Sequence, residues 1–118
     1  MPNKNPRDKQ YLLDILNAAQ IAMYYIEGIT YEQFSQNLQL QDALVRRLEI
    51  IGEASRRVSD SGRQDIPNID WKQIIGMRNR LIHEYDDIDL LVVWDTAHSD
   101  LPNLIETLQP FFNDIQNE

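Results

Sequence analysis

From Leu90 to Ile115 the apolar residues Leu90, Trp94, Ala97, Leu101, Leu104, Leu108, Phe111 and Ile115 stand at alternating steps of four and three. Only an α-helix brings such positions onto one side, and a helix of this span is about 39 Å long. A stripe of that length has to be covered, so the rest of the chain must supply partner helices. Pro102 falls inside the register. A proline there removes a helical hydrogen bond and costs roughly 3 kcal/mol, which predicts one long kinked helix in preference to two abutting ones.

The partners can be read upstream. Leu12, Ile15, Ala19, Ala22 and Ile26 predict an amphipathic helix from Arg7 to Glu27 that Gly28 ends. Thr30 with Gln33 three residues on has capping-box spacing and opens a short helix carrying Tyr31 and Phe34, ending near Asn37. Leu44, Leu48, Ile51, Ser55 and Val58 predict a long helix over about 40–58, with Arg46, Glu49, Glu53 and Arg57 together on its outer side as a solvated, salt-bridged face. The turn-rich stretch Ser59 to Asn68 reads as an interhelical loop. Asp70 and Gln73 repeat the capping-box spacing and open a helix running to about His83 or Glu84. No stretch alternates in the manner of a β-strand and there is no repeat. The expectation is all-α: one domain over residues 1–118, folded as an antiparallel bundle of four to five helices.

With 118 residues the chain can bury one modest core. It has no cysteine, which closes the disulfide and thiolate-metal readings. The start, Met1-Pro-Asn-Lys-Asn-Pro-Arg7, lacks the apolar segment of a signal peptide, and the apolar runs are too interrupted to span a membrane, so a cytoplasmic location is expected. A net charge of −8 argues against broad, sequence-independent binding of nucleic acid; any RNA contact must be local.

The unusual segment is Arg78 to Tyr85. On a helical wheel from Trp71, the residues Lys72, Gln73, Gly76, Asn79, Arg80, His83 and Glu84 share one side. Arg78 falls in the middle of the opposite, apolar side, where a guanidinium needs a carboxylate, backbone carbonyls or a phosphate as partner. Gly76 costs helix stability, roughly 1 kcal/mol relative to alanine, and leaves room for another backbone or a ligand.

The string Arg78-Asn-Arg-Leu-Ile-His83-Glu-Tyr85 resembles the R-N-x-x-x-H-x-Y signature of the HEPN superfamily, HepT branch. Arg7-Asp8 with Tyr11-Leu-Leu-Asp-Ile-Leu, the Leu48-Glu-Ile-Ile-Gly-Glu-Ala54 segment, Ile69-Asp-Trp71 and the Trp94 helix resemble that branch in the same order. The resemblance implies a helical bundle that dimerises, with the R-x4-H motifs of two subunits facing a shared cleft. It implies a metal-independent endoribonuclease acting as a toxin, with Arg78, Asn79 and His83 catalytic and no cofactor. It also implies a partner, a minimal nucleotidyltransferase (MNT) antitoxin that transfers AMP to Tyr85, in a complex that can build beyond the dimer.

The residue types suit that chemistry. Cutting RNA without a metal can use the neighbouring 2′-hydroxyl as nucleophile, which needs a proton carrier and a cation for the charge growing on the phosphate. An imidazole, which ordinarily titrates near ~6.5, supplies the first and an arginine fork the second. Asn79, one turn from His83, can orient the ring or hold the substrate. The expected product ends are a 2′,3′-cyclic phosphate and a 5′-hydroxyl. Arg78 and His83 stand about 140° apart on an ideal helix, so either the arginine side chain wraps around, the helix deviates, or the pair is completed across a dimer interface, and the resemblance favours the dimer. AMP on Tyr85 would add bulk and negative charge beside the phosphate site.

Plainer readings stand beside these. His83 alone could cap a helix end, Arg78 could pair with a buried carboxylate such as Glu53, and Tyr85, Trp71, Trp94, Phe111 and Phe112 could be core or interface aromatics. His83 with Asp86 and Asp87, or Asp95 with His98, are thin metal candidates that lack a fixed third ligand. The alternative function is a noncatalytic helical module binding a nucleotide or a protein, which the net charge favours slightly, whereas the intact Arg78, Asn79 and His83 set favours the enzyme. A purely structural subunit, using the Leu90 to Ile115 stripe as its interface, is a third reading.

Overall fold

The computed structural model describes residues 6–76, 81 and 89–116. Among them every regular element is a helix: α1 Asp8–Ile26, α2 Tyr31–Ser35, α3 Leu38–Arg57, α4 Asp60–Asp65, α5 Trp71–Ile75 and α6 Leu90–Gln116. The chain is all-α, as its periodicity predicts.

Each boundary has a local cause. The α1 stripe is buried throughout, and the chain then turns at Glu27 (φ −60°, ψ 123°) and Gly28 (φ +73°), with the Ile29 amide donating to the Ile26 carbonyl at 3.1 Å. Those angles are a type II turn, whose third position demands the left-handed backbone that glycine adopts without strain. Thr30 and Gln33 close the capping box in both directions. Helix α2 stops at Ser35, short of Asn37, because Asn37 starts the next helix: its side chain accepts from the Leu40 amide at 3.0 Å. The Gln41 carboxamide donates to the carbonyls of Phe34 and Ser35, partners the short helix cannot supply itself.

The predicted loop over Ser59 to Asn68 contains a helix, α4. Ser59 caps it, its hydroxyl accepting from the Gly62 amide at 3.1 Å. The same residue's amide (2.9 Å) and hydroxyl both donate to Asp8, which is 1% exposed at the first turn of α1. A contact between positions this far apart in sequence holds the stretch in place, and no local pattern announces it. Replacing Asp8 with alanine strands the Ser59 amide and is expected to cost about 1–3 kcal/mol in urea unfolding, with Asp8→Asn recovering part of the loss. A loss near zero would show that the contact is dispensable.

The same contact sets direction. The start of α1 meets the end of α3, so these helices run antiparallel. Gln20 reaches Gln109, while Tyr24 to Gly28 border the same groove as His98 and Ile105, so α1 and α6 are antiparallel as well. Helix α1 therefore lies between α3 and α6 along a shared core of Ile15, Ala19, Leu44, Leu48, Ala97 and Leu101, each at 0% exposure.

Helix α6 is continuous through Pro102 and also through Pro110. Both prolines are solvent-exposed, so the carbonyls of His98 and Glu106, left without a helical donor, have access to water. Its buried line is Val93, Ala97, Leu101, Leu104, Leu108 and Phe112, whereas Trp94 and Phe111 of the predicted stripe are half-buried. Trp94 turns sideways onto Phe34 and Tyr31, with ring centroids 5.1 and 5.8 Å away.

Candidate functional site

Arg78, Asn79, His83 and Tyr85 lie outside the described residues, together with Arg80, Glu84, Asp86 and Asp87. The predicted continuation of the Asp70 helix beyond Gly76 falls there too. What is described is the frame that holds this segment at both ends.

On the incoming side, Asp70 caps α5 by accepting from the Gln73 amide at 3.1 Å. The Trp71 indole N–H is shared between the carbonyls of Arg63 (3.1 Å) and Ile66 (3.0 Å), which fastens α5 to the end of α4. Ile74 is buried, and α5 packs on α3. A Cβ at Gly76 would meet, among the described residues, the carbonyls of its own turn: Lys72 at 3.3 Å and Gln73 at 3.8 Å. No other backbone among the described residues fills the space expected there.

Within the segment Leu81 is fully buried, on the apolar side of the wheel as predicted. On the outgoing side the Asp89 amide donates to the Leu81 carbonyl at 3.4 Å, and the Asp89 carboxylate and carbonyl accept from the amides of Val92 and Val93. One residue thus caps α6 and ties its start back to Leu81. Leu81 and Asp89 are neighbours in space.

The outer face of α3 carries the predicted ion pairs, with one more arginine than expected. Glu53 accepts from Arg57 (Nε 3.2 Å, Nη2 3.0 Å) and from Arg56 (3.0 and 3.1 Å). Hydrogen bonds from Arg57 and then Arg56 hold its carboxyl below the usual carboxylate value, and Glu53 and then Tyr11 raise Arg57 above the usual arginine value. The partner suggested for Arg78 is therefore already engaged by two guanidiniums. Because the folded carboxyl titrates lower than the unfolded one, its stabilisation is full above the unfolded value and fades as pH falls through the folded one. The groups are solvent-exposed, so Glu53→Gln is expected to lower the melting temperature slightly at neutral pH and low salt, and not at all in strong acid. Melting curves across pH check this; a gap that persists in acid would contradict it.

His98 is exposed, with Nδ1 3.2 Å from the Trp94 carbonyl and its ring 4.1 Å from the Trp94 ring, so it packs on its own helix. Among the described residues no three metal-binding side chains gather. C-terminal to Arg80 the chain contains no Lys or Arg, which leaves α6 an acidic helix. Beside α5 the structure shows a pocket that sequence reading missed, between the approach to α5 and the middle of α6. Its rim includes Asn68, Gln73 and Asn103. The available signal was Gln73, whose spacing from Asp70 suggested a cap partner.

Residues 15–111 match the family described as ribonuclease HepT-like. A candidate RNase of Methanocaldococcus jannaschii is 40% identical over 81% of this chain and 88% of its own length. A protein of Thermococcus cleftensis described as a probable ribonuclease HepT is 38% identical over 81% of this chain and 87% of its own. A candidate RNase of Caldanaerobacter subterraneus subsp. tengcongensis is 38% identical over 86% and 88%. No solved structure matches the chain.

Proposed function

The chain belongs to the HepT-like ribonuclease family, and from that membership we propose that it is a metal-independent endoribonuclease toxin cutting RNA through Arg78, Asn79 and His83. The observation that carries this reading is the Arg78-Asn-Arg-Leu-Ile-His83-Glu-Tyr85 string, which lies inside the span matched to the family. His83 moves the proton between the 2′-hydroxyl and the leaving 5′-oxygen, Arg78 holds the phosphate oxygens as charge builds, and Asn79 orients the imidazole or the substrate. The 2′-oxygen bonds to phosphorus as the 5′-oxygen leaves with a proton, giving a cyclic phosphate and a free hydroxyl.

The active form in this proposal is a homodimer whose motifs share a cleft. Its regulator is a minimal nucleotidyltransferase that transfers AMP from ATP to the Tyr85 hydroxyl with release of pyrophosphate, blocking the cleft by bulk and charge. Neither step calls for a membrane, and no described helix is long and apolar enough to cross one.

Incubating the purified, unmodified chain with total RNA and with tRNA in excess EDTA tests the proposal. Cleavage that EDTA leaves intact, with 2′,3′-cyclic phosphate ends, is the expected result. A folded dimer that cuts nothing would favour the noncatalytic binding module.

A further inference from the structure

The pocket between α5 and α6 has an apolar floor of Ile69, Ile74 and Leu104, all buried. Among the described residues its rim is made of carboxamides, a hydroxyl and two carboxylates, with no cation. Among those residues the carboxamides make few hydrogen bonds. At Thr30 the equivalent Gln33 uses its side-chain oxygen on the cap residue's amide at 3.0 Å. At Asp70 the reciprocal bond is not made, and the exposed Gln73 side chain borders the pocket instead. Asn68 likewise has no hydrogen bond through its side chain among the described residues. Asn103 donates only a long bond, 3.4 Å, to the Ser99 carbonyl. Thr107 donates to the Asn103 carbonyl at 2.9 Å, which fixes its hydroxyl and leaves the oxygen's lone pairs toward solvent.

A carboxamide offers a donor and an acceptor side by side, the pattern that pairs in bidentate fashion with the N6/N7 edge of adenine, and a carboxylate accepts from an exocyclic amine. The Asp70 carboxylate on the rim and the acidic composition of α6 disfavour phosphate. A flat heterocycle with an amino group fits this combination: apolar faces on the floor, polar edge on the rim. Single-stranded RNA presents such splayed bases. Gln73 precedes Arg78 by five residues, so their Cα atoms are at most about 18 Å apart whatever the path between them. A base held here belongs to the same short stretch of RNA as a phosphate cut at the motif.

We propose that this pocket is a nucleobase-reading subsite that selects a base bearing an exocyclic amine, adenine foremost, and so sets where the RNA is cut. The inference rests on the ribonuclease reading. Gln73 and Asn103 are its specificity-determining residues, Asn68 a third reader.

The test compares the full chain with the Gln73→Ala/Asn103→Ala double variant on oligouridylates carrying one adenosine at successive positions. The parent is expected to cut at a preferred distance from the adenosine, and the double variant to lose that preference by about tenfold in the ratio of rates at adenosine-flanked and uridine-only sites. Both side chains are exposed, so unchanged thermal unfolding will confirm that the variant is folded. A preference equal in parent and variant, or a parent indifferent to base, overturns the subsite while leaving the ribonuclease standing. Should the parent cut no RNA at all, the proposed function falls separately. Titration with adenosine and with uridine, followed by NMR of the Gln73 and Asn103 side-chain amides, then decides the pocket: shifts with adenosine alone sustain it, and no shifts overturn it.

Discussion

His83→Ala is expected to slow RNA cleavage by about 10²- to 10⁴-fold, the range that a positioned proton carrier contributes. Without the imidazole, the 2′-hydroxyl has to lose its proton, and the 5′-oxygen gain one, through water. Arg78→Ala removes the donor proposed to meet charge on the phosphate and is expected to cost about 10²- to 10³-fold. In the proposed mechanism the two residues act on one transition state, so the double variant should lose much less than the product of the single effects. The readout is the initial rate on a defined oligoribonucleotide in EDTA, with far-ultraviolet circular dichroism to show that each variant remains helical. A His83→Ala protein retaining a tenth or more of the parent rate would remove histidine from the mechanism and reopen the reading of His83 as a helix-end residue.

Phe34→Ala is expected to lower the free energy of unfolding by about 3–5 kcal/mol. Phe34 is 0% exposed, the sole buried residue of α2, and its ring centroid lies 5.1 Å from Trp94 and 6.2 Å from Tyr31. Removing it opens a cavity where α2 meets the start of α6 and leaves the short helix fastened mainly by the Gln41 carboxamide and the Tyr31 ring against Trp94. A five-residue helix has no stability of its own, so α2 should detach before the bundle melts. Against a typical domain stability of about 5–15 kcal/mol, the variant should show a visibly lower urea midpoint. A midpoint within experimental error of the parent would mean that the site collapses around the smaller side chain at little cost.

How far the fold could be read beforehand differs between elements for physical reasons. The stripes of α1 and α3 are almost entirely visible in spacing because each helix buries one clean face. Thr30 and Asp70 announce helix starts because capping is settled within four residues. Helix α4 could not be read, since what holds Ser59 is a carboxylate from the other end of α3's partner, and Ser-Asp-Ser-Gly looks like a turn by composition. The shift from Trp94 to Val93 in the α6 core was equally hidden: which of two adjacent apolar residues points inward depends on Phe34 lying beside one of them. The site behaves in the opposite way. Arg78, Asn79, His83 and Tyr85 are conspicuous as a string, whereas the pocket beside α5 is assembled from residues 68 to 107, and its polar members look like ordinary surface in sequence.

The placement of α6 along α1 also has a consequence in time. The contact between Gln20 and Gln109 joins α1 to the later turns of α6, so the alanine-rich face of α1 waits for α6 before it is sealed. At synthesis rates of about 5–20 residues per second, the 89 residues from Gln20 to Gln109 take about 4–18 s to make. The motif at 78–85 is polymerised well before the core that anchors Leu81 is complete. A domain ordered in this way cannot close its core before α6 has been made.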